Sequence, residues 1–367
     1  MASSPLTGDT AAQQLLAVGD LIGGQVTDTS GSLRLTLRHD LQLAAKTALG
    51  DREGSIVVLD SETGAVLAMW SWPSYDPNIV VDPDYDTAYA YLDELIADER
   101  DPLLANAYQQ RYMPGSTMKV LTTSIALANQ TTSLEQVWPD ESAWLPPQTN
   151  DPIENYGGSV CGGDLTEVFR RSCNIPFAQL AVDMGPDAFT LGMSAWGVGT
   201  PVPIDLPRPA ASTIGDDIDE LDDNLPLLAM RGFGQNEVQL VPLHLAMITA
   251  AVADNGTMRE PYVVDRALDH NGGTLYAGEP TIWREPISPT VAQTMVDLME
   301  TVATSGTASC CIGLNDGISV AAKTGTAQLN GPGEPERSHA WITAFAPVEE
   351  PRYAVTVMVK GTNDEIS

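Results

Sequence analysis

The strand signals of this 367-residue chain lie at its two ends, and that separation restricts the folds open to it. Residues 55–60 (SIVVLD), the turn Ser61-Glu62-Thr63-Gly64 and residues 65–72 read as a hairpin, two apolar runs joined by a turn that ends in glycine. Three more strands read at 318–327, 340–346 and 353–360, and the long section between strands two and three is largely helical in pattern. The first and last segments must therefore pair in one sheet, with the middle of the chain inserted as a lobe. A short alternating run at 32–37 stands apart from that count of five.

Helical spacing appears at 40–49, near 85–98, at 116–129, from 166 to 169, at 176–184, at 241–255 and at 288–304. The runs at 241–255 and 288–304 carry no polar groups suited to chemistry and read as core. Residues 133–164 are rich in Pro, Gly, Asn and Trp and read as long loops over the helical side of a site, whereas 205–223 reads as an acidic surface excursion.

One stretch carries chemistry. In Pro114-Gly115-Ser116-Thr117-Met118-Lys119, the Pro-Gly break places Ser116 in the first turn of a helix and Lys119 three residues on, on the same face. A lysine that is partly desolvated near a positive helix end loses stability as a cation and can serve as a base, and a serine beside a base is a recipe for acyl transfer. By itself Ser-x-x-Lys is a weak pattern, equally an ordinary cap followed by a surface lysine. Scarcity changes its weight, because the chain has only four lysines: Lys46, Lys119, Lys323 and Lys360. Downstream stand Ser172-Cys173-Asn174 and then Lys323-Thr324-Gly325-Thr326 at the end of an apolar run. The order Ser-x-x-Lys, Ser-x-Asn, Lys-Thr-Gly is the signature set of penicillin-binding proteins and related serine β-lactamases.

Residues 60–78 (DSETGAVLAMWSWPSYDPN), RYMPGSTMK, RRSCN, the Gly232-Phe233-Gly234-Gln235 turn and VAAKTGTAQ resemble the transpeptidase domain of class B penicillin-binding proteins, most closely the actinobacterial penicillin-binding protein A group, over about 33–361. The resemblance implies an α+β fold of the β-lactamase/DD-peptidase type: a five-stranded antiparallel sheet flanked by helices, with an inserted all-helical lobe and the site between them. It divides the chain into a remnant of the N-terminal linking region (1–32) and a transpeptidase domain (33–367), whose α/β part is 33–80 and 285–367 and whose lobe is about 81–284. Class B enzymes carry an N-terminal membrane helix and a non-catalytic domain, and a last helix packing on the sheet. The expectation is that this chain is truncated, natively anchored on the extracytoplasmic face of the membrane, with division or elongation partners contacting the missing N-terminal portion.

The implied function is a peptidoglycan D,D-transpeptidase that β-lactams acylate, needing no cofactor and no metal. Ser116 would attack the D-Ala-D-Ala carbonyl of a stem peptide and Lys119 would take its proton. Ser172 would relay a proton to the leaving amine, and Asn174 would bond the substrate backbone. Lys323 would orient the substrate carboxylate and keep Lys119 neutral, Thr324 and Thr326 would bond the same carboxylate, and Gly325 would let the strand approach the ligand. The amides of Ser116 and Thr326 would form the oxyanion hole. Other readings are a D,D-carboxypeptidase, or a β-lactam-sensing or scaffold module that acylates without turnover. A Ser-His-Asp hydrolase is disfavoured by the lack of a G-x-S-x-G elbow, and a β-lactamase by size and by the lack of a clear deacylating glutamate.

Net charge is −31, from 49 acidic against 18 basic residues, which excludes nucleic acid and anionic headgroups as partners. No run of eighteen apolar residues is present, and the chain does not open like a signal peptide. The four cysteines lack C-x-x-C spacing, so a zinc site is not expected. In a family that works outside the cytoplasmic membrane, Cys161 and Cys173 could form a bridge across a Gly-rich loop or remain two small hydrophobes; the bridge is the expectation. Cys310 and Cys311 support no reading.

Overall fold

The computed structural model describes residues 30–215, 220–312, 314, 317–329 and 337–361. Most of the 1–32 segment, part of the acidic excursion at 205–223 and the last six residues lie outside them. The hairpin forms at Gly54–Asp60 and Val66–Trp72. Asp60 closes its turn, its carboxylate accepting from the amides of Glu62 and Thr63 and from the Thr63 hydroxyl at 2.9–3.1 Å. The three late strands are Ala321–Gln328, Ser338–Ala346 and Tyr353–Val359. Tyr353 pairs with Asp60 and Val359 with Gly54, so the chain ends do meet in one antiparallel five-stranded sheet, with the strand Ala321–Gln328 at one edge and Val66–Trp72 at the other.

Alternation of side chains gives the sheet two apolar faces. On one, Ile56 and Ala68 meet Ala45 and Leu49 of the helix His39–Leu49. On the other, Val57, Val66, Phe345 and Met358 join the main core, beside the helices Pro242–Ala253 and Pro289–Ser305. Eleven of the twelve residues of Pro242–Ala253 are buried, which explains why its sequence is apolar on every side. Its few polar groups are satisfied: Thr249, Thr343 and Thr356 form a buried hydroxyl chain at 2.5 and 2.7 Å.

Three readings of the sequence are corrected. Residues 133–164 are not loops alone: Val137–Glu141 pairs with Cys161–Asp164, and Ala143–Trp144 with Ile153–Glu154. These strands are too short and too interrupted by Pro and Gly for a period of two to show. The end of the supposed all-helical lobe contains four short strands between Met258 and Arg284, one of which, Val264–Leu268, pairs with Ser32–Leu35. Finally, the nucleophile segment does not start as an α-helix. Gly115–Met118 is a 3-10 turn, and the α-helix is Lys119–Ala128.

Candidate active site

The 3-10 turn lies hard against the edge strand. A methyl group on Gly325 would stand 2.6 Å from the Pro114 carbonyl and 2.9 Å from the Thr117 amide, and one on Gly115 would stand 2.3 Å from the Thr326 carbonyl. Gly115 also has φ +51°, and its amide donates to the Gly234 carbonyl at 3.0 Å. From beneath, the Trp341 indole donates to the Met113 carbonyl at 2.8 Å. The bare face of Gly325 therefore serves the approach of the strand to the turn that carries Ser116.

Lys119 and Lys323 enter from opposite elements and both are fully buried. The Lys119 amine donates to the Ser172 carbonyl at 2.8 Å and to Asn174 Oδ1 at 2.9 Å, with Ser172 Oγ at 3.4 Å. Its hydrogen bonds thus run across the cleft, not along the helix to Ser116. Lys323 donates to Ser172 Oγ at 2.8 Å and to the Thr324 carbonyl at 3.0 Å. The floor beneath them is aromatic: Phe177 lies 5.2 Å from the Lys119 amine, Phe169 lies 5.8 Å from that of Lys323, and the two rings meet edge to face. Burial, reinforced by the neighbouring Lys323 charge, pushes Lys119 well below the usual lysine range, and burial brings Lys323 down to about 7. Ser172 and Asn174 thus supply the hydrogen-bond partners of the Lys119 amine, while burial and the Lys323 charge weaken its hold on a proton.

Ser172 is shaped for its place between the lysines. It follows Arg171, the C-cap of the short helix Leu165–Arg170, in a left-handed conformation, φ 60°, which non-glycine residues adopt rarely and at some cost in strain. Cys173 next to it is joined to Cys161, with Cα atoms 5.8 Å apart; closing so short a loop stabilises the chain by about 3 kcal/mol at most in the loop-entropy model. Cys310 and Cys311 are joined to each other. Ser116 is half-buried and lines a cleft of about 1360 Å³ with Ser172, Asn174, Thr324 and Thr326.

Two residues of the site carried no sequence signal. Asn155 is buried, accepts from the amides of Asn174 (2.7 Å) and Ile175 (3.2 Å), and donates to the carbonyls of Glu141 and Ser159. Thr307 lies 2.6 Å from the Thr324 hydroxyl and also lines the cleft. Nothing local marks either: Asn155 sits among turn residues, and Thr307 follows a helix.

A serine lining a cleft, a buried lysine three residues on and a lysine-bearing strand opposite define a serine acyl-transfer enzyme of the penicillin-binding class. The family profile described as the penicillin binding protein transpeptidase domain matches residues 54–367, and the chain belongs to that family. It is 34% identical over 346 residues to the peptidoglycan D,D-transpeptidase PbpA of Mycolicibacterium smegmatis, covering 92% of this chain and 69% of that protein. The crystal structure of PBPA from Mycobacterium tuberculosis superposes with a TM-score of 0.89 at 30% identity, covering 100% of this chain and 83% of that one. A penicillin G acyl-enzyme complex of the same M. tuberculosis protein matches with a TM-score of 0.88 at 29% identity, over 100% of this chain and 82% of that one.

Proposed function

We propose that this chain is a peptidoglycan D,D-transpeptidase working through a serine acyl-enzyme and trapped by β-lactams. The observation that carries the reading is the fully buried Lys119, three residues from Ser116 and hydrogen-bonded to Ser172 and Asn174 across the cleft. Ser116 Oγ attacks the carbonyl carbon of the D-Ala-D-Ala bond while its proton passes to Lys119. Ser172, hydrogen-bonded to Lys323 and 3.4 Å from the Lys119 amine, gives its proton to the departing D-Ala nitrogen and takes up the Ser116 proton from Lys119, and the acyl group stays on Ser116 as an ester. Lys323, Thr324 and Thr326 hold the substrate carboxylate, Asn174 holds the donor backbone, and the amides of Ser116 and Thr326 receive the oxyanion. The amine of a second stem peptide then attacks the ester, forming the cross-link and returning the proton to Ser116.

We take 33–367 as the transpeptidase unit. Residues of 285–367 and of 81–284 line the cleft together, and 33–80 belongs to the first part through its strands in the shared sheet. A substrate that is the cell wall implies action on the extracytoplasmic side of the membrane, and no helix among the described residues is long and apolar enough to cross one. We place a membrane anchor, and contacts with division or elongation proteins, on the N-terminal side of this unit.

Incubation with a donor peptide ending in D-Ala-D-Ala and a free amine acceptor tests the reading. Release of D-Ala with formation of the new amide is the expected result. Hydrolysis alone would make the chain a D,D-carboxypeptidase, and acylation with no turnover would make it a sensor or scaffold.

A further inference from the structure

The helix Ile175–Met184 starts at Asn174, whose own side chain does not cap it. The side chain of Asn174 is committed elsewhere: Oδ1 accepts from Lys119 at 2.9 Å and Nδ2 donates to the Glu154 carbonyl at 3.2 Å. The unsatisfied amides at a helix start need an acceptor. It comes from outside the helix, because Asn155 Oδ1 receives both the Asn174 and the Ile175 amide. The other half of that carboxamide is equally fixed, donating to Glu141 at 2.8 Å and Ser159 at 3.1 Å, so its orientation is set by four bonds in a site 3% exposed.

We propose that Asn155 is a positioning residue for acylation: by holding the Asn174 backbone it aims the Asn174 side chain at Lys119. The Cys161–Cys173 bridge anchors the residue before Asn174, and Asn155 anchors Asn174 and the residue after it. Between them the turn that supplies Ser172 and Asn174 is fixed on both sides. This rests on the reading of Ser116 and Lys119 as nucleophile and base.

The two halves of the carboxamide can be separated by substitution. Asn155→Asp keeps an acceptor for Asn174 and Ile175 and loses the donors to Glu141 and Ser159. Asn155→Ala loses both. The charged group facing Lys119 is Lys323 on the edge strand; its other neighbours are Ser172 and Asn174 on the turn and the Phe177 ring. A carboxylate at 155 would add a negative charge behind Asn174 and favour the ammonium form of Lys119.

Penicillin acylation rates of the wild type and both variants, measured against pH in the full chain with near-UV circular dichroism as the check on folding, test the proposal. In Asn155→Ala the limiting acylation rate constant should fall roughly tenfold, about 1.4 kcal/mol, with the apparent penicillin affinity little altered. Asn155→Asp should keep the rate within about threefold at high pH while the rising limb of the profile moves to higher pH. If folded Asn155→Ala acylates like the wild type, or if Asn155→Asp leaves the rising limb where it was, the proposal is overturned. Should Asn155→Ala fail to fold, the limb of Asn155→Asp still decides. A wild type that penicillin does not acylate would instead defeat the functional reading itself.

Discussion

At the residue scale, the proposed mechanism turns on how weakly Lys119 holds its proton. Desolvation disfavours the ammonium and the Lys323 charge adds repulsion. Lys119→Ala should slow penicillin acylation by about 10²–10⁴-fold, the range typical of a lost general base, as read by stopped flow. Lys360→Ala should change it little, since the Lys360 amine pairs with Glu53 and does not line the cleft. Lys119→Arg should not rescue, because a guanidinium cannot be deprotonated. The sign of the pH dependence follows from the same group: acylation requires the neutral amine, so the rate falls as pH falls through the folded-state pKa. With that value pushed well below 10.5, half-maximal acylation should lie far under the pH at which an exposed lysine loses its proton. Equal rates for the Ala variants at 119 and 360 would make Lys119 a structural residue.

At the scale of elements, the nucleophile turn and the edge strand form one unit because glycines let their backbones touch. Gly325→Ala would place a methyl group 2.6 Å from the Pro114 carbonyl, and since backbone stands on both sides of the contact, the turn must move. A shift of about 1 Å at a reacting atom can cost on the order of 10²-fold, so acylation should fall by roughly that factor with only a small loss in melting temperature. Unchanged kinetics would show that the turn adapts without displacing Ser116. How much of this was legible follows from how each part is encoded. The five-strand sheet was readable because alternating apolar runs and the Gly64 turn are local signals. Ser116, Lys119, the Ser172–Asn174 turn and the Lys323 strand were readable because scarce, chemistry-bearing residues recur at short fixed spacings. Asn155 meets Asn174 from 19 residues away and Thr307 meets Thr324 from 17, and their neighbours in sequence give no hint of either contact. The contact of Gly325 with the turn at Pro114 and Thr117 was hidden for a related reason, since sequence shows that a side chain is missing but not what lies against the gap.

For the whole molecule, the distribution of positive charge is the informative feature. A chain of net charge −31 with four lysines leaves two of them fully buried, both within hydrogen-bond reach of Ser172, which lines the cleft. Burying an amine costs stability, and apolar residues of similar volume commonly fold at least as well in such places, so the arrangement makes sense as chemistry more than as architecture. The fold supports it by joining its two ends in one sheet, which holds the Lys323 strand against the turn carrying Ser116. The central claim, that Ser116 is the nucleophile, is tested most directly by intact-mass measurement after incubation with a penicillin, followed by peptide mapping. One adduct per chain, on the peptide containing Ser116 and lost in Ser116→Ala, is the predicted result. An adduct on any other residue, or none on the folded protein, would contradict it.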